Sequence, residues 1–490
     1  MGALEIGYVE QMSRDDIYYE AVKARDHRFD GKFFIAVKTT GIYCRPICPA
    51  KPKRENSEFF QNRIAAEKAG YRPCLRCRPE SAPESPAWAG TSALVQRAFR
   101  KIQMPETLEW NEDELAELFG VTARHLRRLF IEEIGKTPKQ IAFENRLNLS
   151  RKLICESQLP ITEIAYGSGF RSIRRFNDAF KSRFKKTPSE IRRVAPTSDD
   201  KLKLTLSYRP PFDFEGLLYF YRSHEMGDLE RFEAGKMHRI AEFDGKVGTV
   251  TISNEPDKSR LLVEIDFPET SRIPAILSRV RSLFDIDSDP LLIANQIETD
   301  PKMKSLLKKH PGIRIPSGWD PFEVAVATIL GQLVSVEQGR ALVKDLIESL
   351  GKDSGLRFEN RVIKLFPTPE QIASSDLKGL KTTQTRKDAL VTFSKAILEK
   401  KLSLEPTQDV EEFIKKILTV RGIGPWTAHY IALKSLRNPD AFPETDLILA
   451  RALELHSKEV VEQLRPWRGY AAALFWKEYS AVLTKKKKKL

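Results

Sequence analysis

Four of the five cysteines in this 490-residue chain lie between positions 44 and 77, as Cys44-x3-Cys48 followed by Cys74-x2-Cys77. Two close thiol pairs joined by a connecting segment suit tetrahedral zinc, whose four soft ligands come from two turns carrying two side chains each. That spacing favours zinc over four structural free thiols. The N-terminus MGALEIGYVE is acidic and no apolar run reaches the roughly 18 residues of a membrane helix, so a cytosolic, reducing environment is expected. Ile6 stands where a myristoylation signal wants Ser or Thr, which argues against Gly2 as an acceptor. In such a compartment cysteines serve metals or chemistry rather than disulfides. Arg45, Lys51, Lys53, Arg54, Arg72, Arg76 and Arg78 surround the cluster, and the chain's formal net charge is +14. That balance implies a polyanionic partner without separating DNA from RNA or an acidic membrane. Zinc held by four thiolates carries a charge of minus two, which leaves its sulfurs electron-rich and nucleophilic.

A chain of this length exceeds one core and predicts three or four domains. Within 111–190 a helical pattern repeats. Thr122, Arg124, Leu126, Phe130, Lys136, Thr137 and Pro138 recur as Ser172, Arg174, Phe176, Phe180, Lys186, Thr187 and Pro188, at an offset of about fifty residues. Asn111 and Glu114 predict a capped start, Gly120 a turn, and Thr122 the cap of a second helix. That helix sets Leu126, Leu129 and Phe130 on one face and Arg124, His125, Arg127 and Arg128 elsewhere. The second copy packs Ile173, Phe176, Phe180 and Phe184 and exposes Arg174, Arg175, Asn177 and Lys181. One copy reads as an ordinary bundle with a solvated basic face. Two copies fit a pair of recognition helices, which must sit about 34 Å apart to enter successive major grooves. The segment 139–157 predicts the rigid helix that sets this spacing, with Cys155 as a small buried hydrophobe.

After the polar stretch VAPTSDDK at 194–201, alternating segments over 237–266 predict a small α+β layer, and the pattern is helical from about 285 onward. In VRGIGPWTAHYIAL, 420–433, Gly422 and Gly424 open a helix whose N–H groups can grip a DNA phosphate without reading sequence, although such turns are common. Downstream, FPETDLILARAL places Asp446 at a helix start, where an isolated Asp is by default an N-cap. Lys485 to Lys489 form a basic run, read as a solvated, disordered tail that adds nonspecific DNA affinity.

Three resemblances join these features. TTGIYCRPICPAKPKRENSEFF followed by AGYRPCLRCRPE resembles the N-terminal domain of the Ada alkylation-response family. The resemblance implies that Cys44 irreversibly accepts a methyl group from a DNA methylphosphotriester while Cys44, Cys48, Cys74 and Cys77 hold one zinc ion. It places Thr40, Lys51 and Arg72 at the DNA backbone, with Lys51 standing where the family has Arg and Pro49 replacing another. Attack on the methyl group calls for an exposed thiolate, and capping it lowers the site's negative charge and tightens its hold on phosphates, so damage itself acts as the switch. The repeated helices resemble the AraC-type DNA-binding domain. No Pro-Cys-His-Arg run occurs, so the alkylguanine transferase half of the Ada family is not expected.

The hairpin, Asp446 and ILGQLVSVEQ at 329–338, with LSYRPPFDFEGLLYF and RPWRGYAAALFW, resemble the AlkA family of helix-hairpin-helix DNA glycosylases over nearly all of 203–480. That likeness implies Asp446 as catalytic carboxylate, Trp426, Tyr430 and Trp476 as the base pocket, and Leu333 beside Gln332 as the wedge filling the gap of an extruded nucleotide. Arg421 stands where Pro is usual in the hairpin. Trp426 occupies the place of the Schiff-base lysine of strand-cutting relatives, and no cysteine follows Cys155, so lyase activity and an iron–sulfur cluster are not expected.

The expected fold is multidomain α+β. It comprises a zinc-bound α+β methyl-acceptor domain over 1–85, an all-α double helix-turn-helix over 86–195, a TBP-like α+β layer over 202–284, an all-α helix-hairpin-helix glycosylase domain over 285–484, and a basic tail over 485–490. The expected activities are methyl-activated transcriptional regulation and hydrolytic release of alkylated bases such as 3-methyladenine. The rival reading is a transcription factor whose glycosylase half is only a DNA-binding platform; a further alternative makes the zinc purely structural. Zinc is the one cofactor, with none for the glycosylase. Double-stranded DNA is the partner, at lesions and promoter operators, and the activator likeness adds RNA polymerase. The protein is expected to be a monomer, away from membranes, in the bacterial cytosol with the nucleoid.

Overall fold

A computed structural model describes residues 13–24, 33–46, 48, 50, 52–60, 63–74, 77, 79, 93–103, 111–192, 202–406 and 410–487. The chain divides into two compact units, Met1–Gly90 with Lys181–Lys186, and Thr91–Phe180 with Thr187–Leu490.

The first unit contains a four-stranded sheet in the order Ser57–Phe60, Phe34–Val37, Ile42–Cys44, Arg72–Pro73, antiparallel except for the last pair. Side chains alternate between its faces. Phe33 and Ile35 pack with Ala21, Val22 and three of the cysteines on one side, whereas Phe34 and Ala36 pack with Tyr43 and Ala66 on the other. Gly41, at φ +63°, allows the turn that brings Cys44 opposite Ile35.

In the second unit, Asn111 accepts the Glu114 N–H at 2.8 Å to start Glu112–Leu118, Gly120 turns at φ +66°, and Thr122 accepts the His125 N–H at 3.2 Å to start Ala123–Glu133. Leu126 and Phe130 are fully buried and Leu129 is partly so, in line with the periodicity. The long helix is Pro138–Glu156, opened by a reciprocal Thr137–Gln140 capping box and about 28 Å long at 1.5 Å per residue. Cys155 on it is only half-buried, a departure from the fully buried hydrophobe expected. The second recognition helix is Ile173–Phe184, with Phe176, Phe180 and Phe184 buried and Ile173 partly so. The segment 194–201 lies outside the described residues.

The α+β layer is a five-stranded antiparallel sheet ordered Leu202–Ser207, Arg260–Asp266, Lys246–Glu255, Lys236–Phe243, Glu230–Glu233, with helices Phe214–Ser223 and Ile273–Leu283. Leu202–Ser207 is an edge strand. Its Thr205 N–H donates to Glu156 at 2.7 Å, and its Thr205 carbonyl accepts from Lys152, so an ion pair on Pro138–Glu156 satisfies backbone groups an edge otherwise leaves to solvent.

From residue 290 the helices close around one large core. The expected uninterrupted helical pattern is broken by a hairpin, Asp353–Phe358 with Arg361–Lys364. Its turn residues Glu359 and Asn360 adopt φ +45° and +66°, a primed turn without the glycine that usually advertises one. The last helix, Arg468–Lys487, carries the first part of the basic run, so Lys485 to Lys487 are helical rather than a disordered tail; residues 488–490 lie outside the described residues.

Candidate functional site

The sulfurs of Cys44, Cys48, Cys74 and Cys77 all lie within 4.8 Å of one another. Sulfurs around tetrahedral zinc with bonds of about 2.3 Å are separated by about 3.8 Å, so the four fit one such ion. The sheet supplies them: Cys44 ends a strand, and Cys74 follows the strand that pairs beside it, with its N–H on the Tyr43 carbonyl at 2.9 Å. The Arg45 N–H donates to Cys77 Sγ at 3.3 Å, as suits an anionic sulfur. Contact with Cys48 pushes the Cys44 thiol up, and contact with Cys44 pushes Cys74 down. Packed thiols cannot all ionise without a cation among them, and a divalent ion removes the conflict.

Cys44 is only 4% exposed, Cys48 2% and Cys74 9%, with Cys77 partly exposed. The exposed Cys44 thiolate expected from the chemistry is therefore replaced by a sheathed one, because the sheet and the helix Arg14–Ala24 close over its face. Thr40 lies exposed in the turn before Cys44, and Arg72 pairs beside Ile42 with its side chain partly exposed. Lys51 lies outside the described residues.

On the helix-turn-helix pair Arg124, Arg174 and Arg175 are exposed. Arg127 is also exposed but bridges Glu112 at 2.7 Å, so its charge is partly committed inside the domain.

Asp446 caps Leu447–His456: its Oδ1 accepts the Ile448 and Leu449 N–H groups at 3.0 and 3.2 Å. The same oxygen accepts the Trp476 indole at 3.0 Å, and Oδ2 accepts the Trp426 indole at 3.1 Å. Cap and candidate catalyst are thus one group. Among the described residues three donors anchor Oδ1, while a single donor on Oδ2 leaves that oxygen room for a further partner. Tyr430 bridges the two indoles, with ring centroids 5.2 Å from Trp426 and 5.6 Å from Trp476. Burial, and secondarily the Asp446 charge, push the Tyr430 hydroxyl up and keep it protonated.

Gly422 stands at φ +91°, where an added Cβ would meet Ala389 Cβ at 3.1 Å and the Thr385 carbonyl at 3.3 Å, so the hairpin needs glycine there. Gly424 precedes Pro425–Lys434 without a side-chain cap, leaving that helix's N-terminal N–H groups open, and Arg421 beside it is exposed. Leu333 is fully exposed at φ +55°, a conformation uncommon for leucine, as befits a projecting residue. Gln332 beside it donates to the Gly422 carbonyl at 3.0 Å and to Thr427 Oγ1 at 2.8 Å, which ties the Leu333 loop to the hairpin. Arg386 donates to the Gln332 carbonyl from a third element, Gln384–Leu398. Sequence reasoning missed Arg386, for which there was no local signal. It also missed Lys434, whose signal was its spacing of one and two turns from Tyr430 and Trp426 along one helix face.

A four-sulfur metal site, paired recognition helices and an indole-held carboxylate beside a helix-hairpin-helix define a DNA-alkylation repair protein with a regulatory half. The chain matches the metal-binding domain of Ada over residues 17–80, a helix-turn-helix domain over 115–194, and the AlkA N-terminal domain over 203–320. The probable bifunctional transcriptional activator/DNA repair enzyme AlkA of Mycobacterium tuberculosis H37Rv is 33% identical over 478 residues, 94% of this chain and 95% of that protein. The DNA-3-methyladenine glycosylase 2 of Escherichia coli K12 is 30% identical over 284 residues, 56% of this chain and 96% of that protein. The bifunctional transcriptional activator/DNA repair enzyme Ada of the same organism is 42% identical over 128 residues, 26% of this chain and 34% of that protein. The chain belongs to the family of bifunctional transcriptional activator/DNA repair enzymes of the AlkA type.

Proposed function

We propose that the chain carries two chemistries directed at alkylated DNA. The observation that carries the second is the Asp446 carboxylate held between the Trp426 and Trp476 indoles. A base inside a duplex cannot be reached, so the nucleotide is extruded, with Leu333 filling the gap and the open N–H groups after Gly424 holding a phosphate. Trp426, Tyr430 and Trp476 receive the base. An N-alkylated purine is cationic, so their π-faces attract it, by ~2 kcal/mol when desolvated. The glycosidic C1′–N bond breaks with its electron pair leaving on the base, which departs neutral and needs no general acid. Asp446 Oδ2 stabilises the positive sugar and accepts a proton as water bonds to C1′. This is hydrolysis without strand cleavage, since Trp426 stands where an amine nucleophile would be needed.

The first chemistry belongs to Cys44. Its sulfur attacks the methyl carbon of a phosphotriester; the S–C bond forms, the C–O bond breaks, and the electron pair stays on the phosphate oxygen as a diester anion. One bound zinc ion supplies the positive charge that keeps the four sulfurs deprotonated. Because Cys44 is sheathed by the sheet and the helix Arg14–Ala24, part of that covering must give way to admit the triester. Capping Cys44 removes one negative charge, which strengthens attraction to DNA phosphates and to the backbone contacts proposed for Thr40, Lys51 and Arg72. Arg124, Arg127, Arg174 and Arg175 then serve operator binding, with RNA polymerase as second partner. The proposed setting is a monomer acting in the cytosol at the nucleoid; no described helix is long and apolar enough to cross a membrane. The domain limits adopted are those read from the sequence, 1–85, 86–195, 202–284 and 285–484.

The test is incubation with methylated duplex DNA, followed by chromatography of free bases and mass analysis of the protein. Release of 3-methyladenine and one methyl group on the peptide containing Cys44 are expected. Intact bases defeat the glycosylase assignment, and methylation elsewhere on the protein defeats that of Cys44.

A further inference from the structure

Lys434 ends the helix Pro425–Lys434, on the face that presents Trp426 and Tyr430. It is 3% exposed, and among the described residues its Nζ has no hydrogen-bond partner. In place of an anion it meets three rings: Nζ lies 4.5 Å from the Phe220 centroid, 5.1 Å from Trp476 and 5.7 Å from Tyr430. A buried amine without a hydrogen-bond partner is a costly way to fill space that leucine or methionine would fill. Two of the rings it meets are those proposed to bind the extruded base.

The surrounding ionisable groups do not neutralise a charge there. Tyr430, on the same helix, is held protonated. His224, stacked on Phe220 at 4.2 Å, is pushed down to about 4 by burial and stays uncharged at neutral pH. Arg340, which acts on His224, pairs with Glu225 at 3.5 Å. Next to Trp476, Lys477 pairs with Asp213, and Asp446 is engaged by the two indoles.

We propose that Lys434 is a specificity-determining residue of the base pocket, competing with the extruded base for the π-electrons of Tyr430 and Trp476, so that the pocket prefers a cationic nucleobase only while this amine is uncharged. The inference rests on the base-release reading above. An ammonium against an aromatic ring draws on the same negative face that attracts a cationic purine, and the two cations also repel each other across a dry site. A neutral purine suffers neither effect. Burial pushes the Lys434 amine down to about 7, which puts the change of state within the physiological range.

The experiment measures single-turnover release of 3-methyladenine, cationic within DNA, and of hypoxanthine, a neutral purine, by the full chain between about pH 6 and pH 8.5. The ratio of the two rates removes every titration that affects both substrates alike. In the wild type this ratio is expected to fall roughly thirtyfold below about pH 7, the size of a desolvated cation–π contact. In Lys434→Met the ratio should stay high throughout, and in Lys434→Arg, permanently charged, it should stay low. A wild-type ratio independent of pH, or an unchanged fall in Lys434→Met, overturns the role of Lys434 while leaving the glycosylase intact. Absence of release of either base at every pH defeats the base-release reading itself.

Discussion

Asp446→Asn separates the charge of the carboxylate from its geometry. The Asn carbonyl oxygen can keep the place of Oδ1, still capping the Ile448 and Leu449 N–H groups and accepting the Trp476 indole. Asn and Asp are near-equal N-caps, so the helix start is preserved. The change falls on Oδ2, which becomes an amide donor facing the Trp426 indole donor 3.1 Å away. Losing that charge-assisted bond at a partly exposed site costs about 1 to 2 kcal/mol of stability, a drop of roughly 2 to 8 °C in Tm. Catalysis should lose far more. Removing an electrostatic partner of the transition state costs about 3 to 4 kcal/mol, or at least about a hundredfold in rate, and a full negative charge beside an oxocarbenium-like sugar stands at or above the top of that range. The assay pairs single-turnover release of 3-methyladenine at saturating enzyme with thermal unfolding of the same samples. Trp426→Phe is the companion variant, since it keeps the charge while removing the donor on Oδ2, and a milder rate loss is expected. If the Asp446→Asn variant releases base within tenfold of wild type, or if Trp426→Phe is as damaging as Asp446→Asn, the charge is not what drives the reaction.

Cys74→Ser should lose bound zinc, read as metal per chain by a chromogenic chelator, and with it the heat stability of the first unit, because a neutral hydroxyl replaces a thiolate ligand. Arg174→Ala should lower the slope of log affinity for operator DNA against log salt by about 1, whereas Arg127→Ala should lower it less, since Glu112 already engages that guanidinium; equal slopes would count against the pairing. Lys434 also affects stability: its folded value of about 7 lies below the ordinary 10.5, so the unfolded chain binds the extra proton between those values. Stability from this group therefore rises with pH across that window, and Lys434→Met should remove the rise and stabilise the protein near pH 7, by on the order of a few kcal/mol in urea unfolding.

The elements most legible in the sequence are those whose signals are local. The caps at Asn111 and Thr122, the turn at Gly120 and the buried faces carrying Leu126, Phe130, Phe176 and Phe180 need only neighbouring residues to be specified, and they stand where the pattern puts them. The thiol cluster was readable for the same reason, its spacing being a property of two short segments. The hairpin at Asp353–Lys364 was not, because its Glu359–Asn360 turn carries no glycine and its strands are short. Long-range geometry escaped most completely. Nothing local says that Trp476 reaches Asp446 across 30 positions, that Arg386 braces Gln332, or that Phe220 from the α+β layer covers Lys434. The burial of Cys44 belongs to the same class, since it depends on the sheet and on a helix that begins 30 residues earlier at Arg14.

The join between the helix-turn-helix pair and the α+β layer bears on how the regulatory and repair functions meet. Pro138–Glu156 is the helix that separates the two recognition helices, and the same helix uses Lys152 and Glu156 to satisfy the Thr205 backbone on the sheet's edge strand. Gly167 adds a second contact: a Cβ there would lie 3.0 Å from Thr270 Oγ1 and 3.2 Å from the Thr270 carbonyl, so only glycine allows that approach without a shift. The first contact uses backbone groups of the layer and the second includes the Thr270 carbonyl beside its side chain, and backbone groups have little freedom to follow a moving partner. A change in the angle of Pro138–Glu156 on DNA would therefore either break the Thr205 hydrogen bonds, leaving an uncovered strand edge, or carry the sheet with it. The sheet's helix Phe214–Ser223 supplies Phe220 to the Lys434 cluster at the base pocket. A continuous path of packed elements thus runs from the helix that spaces the residues proposed to read DNA to the rings proposed to hold the damaged base.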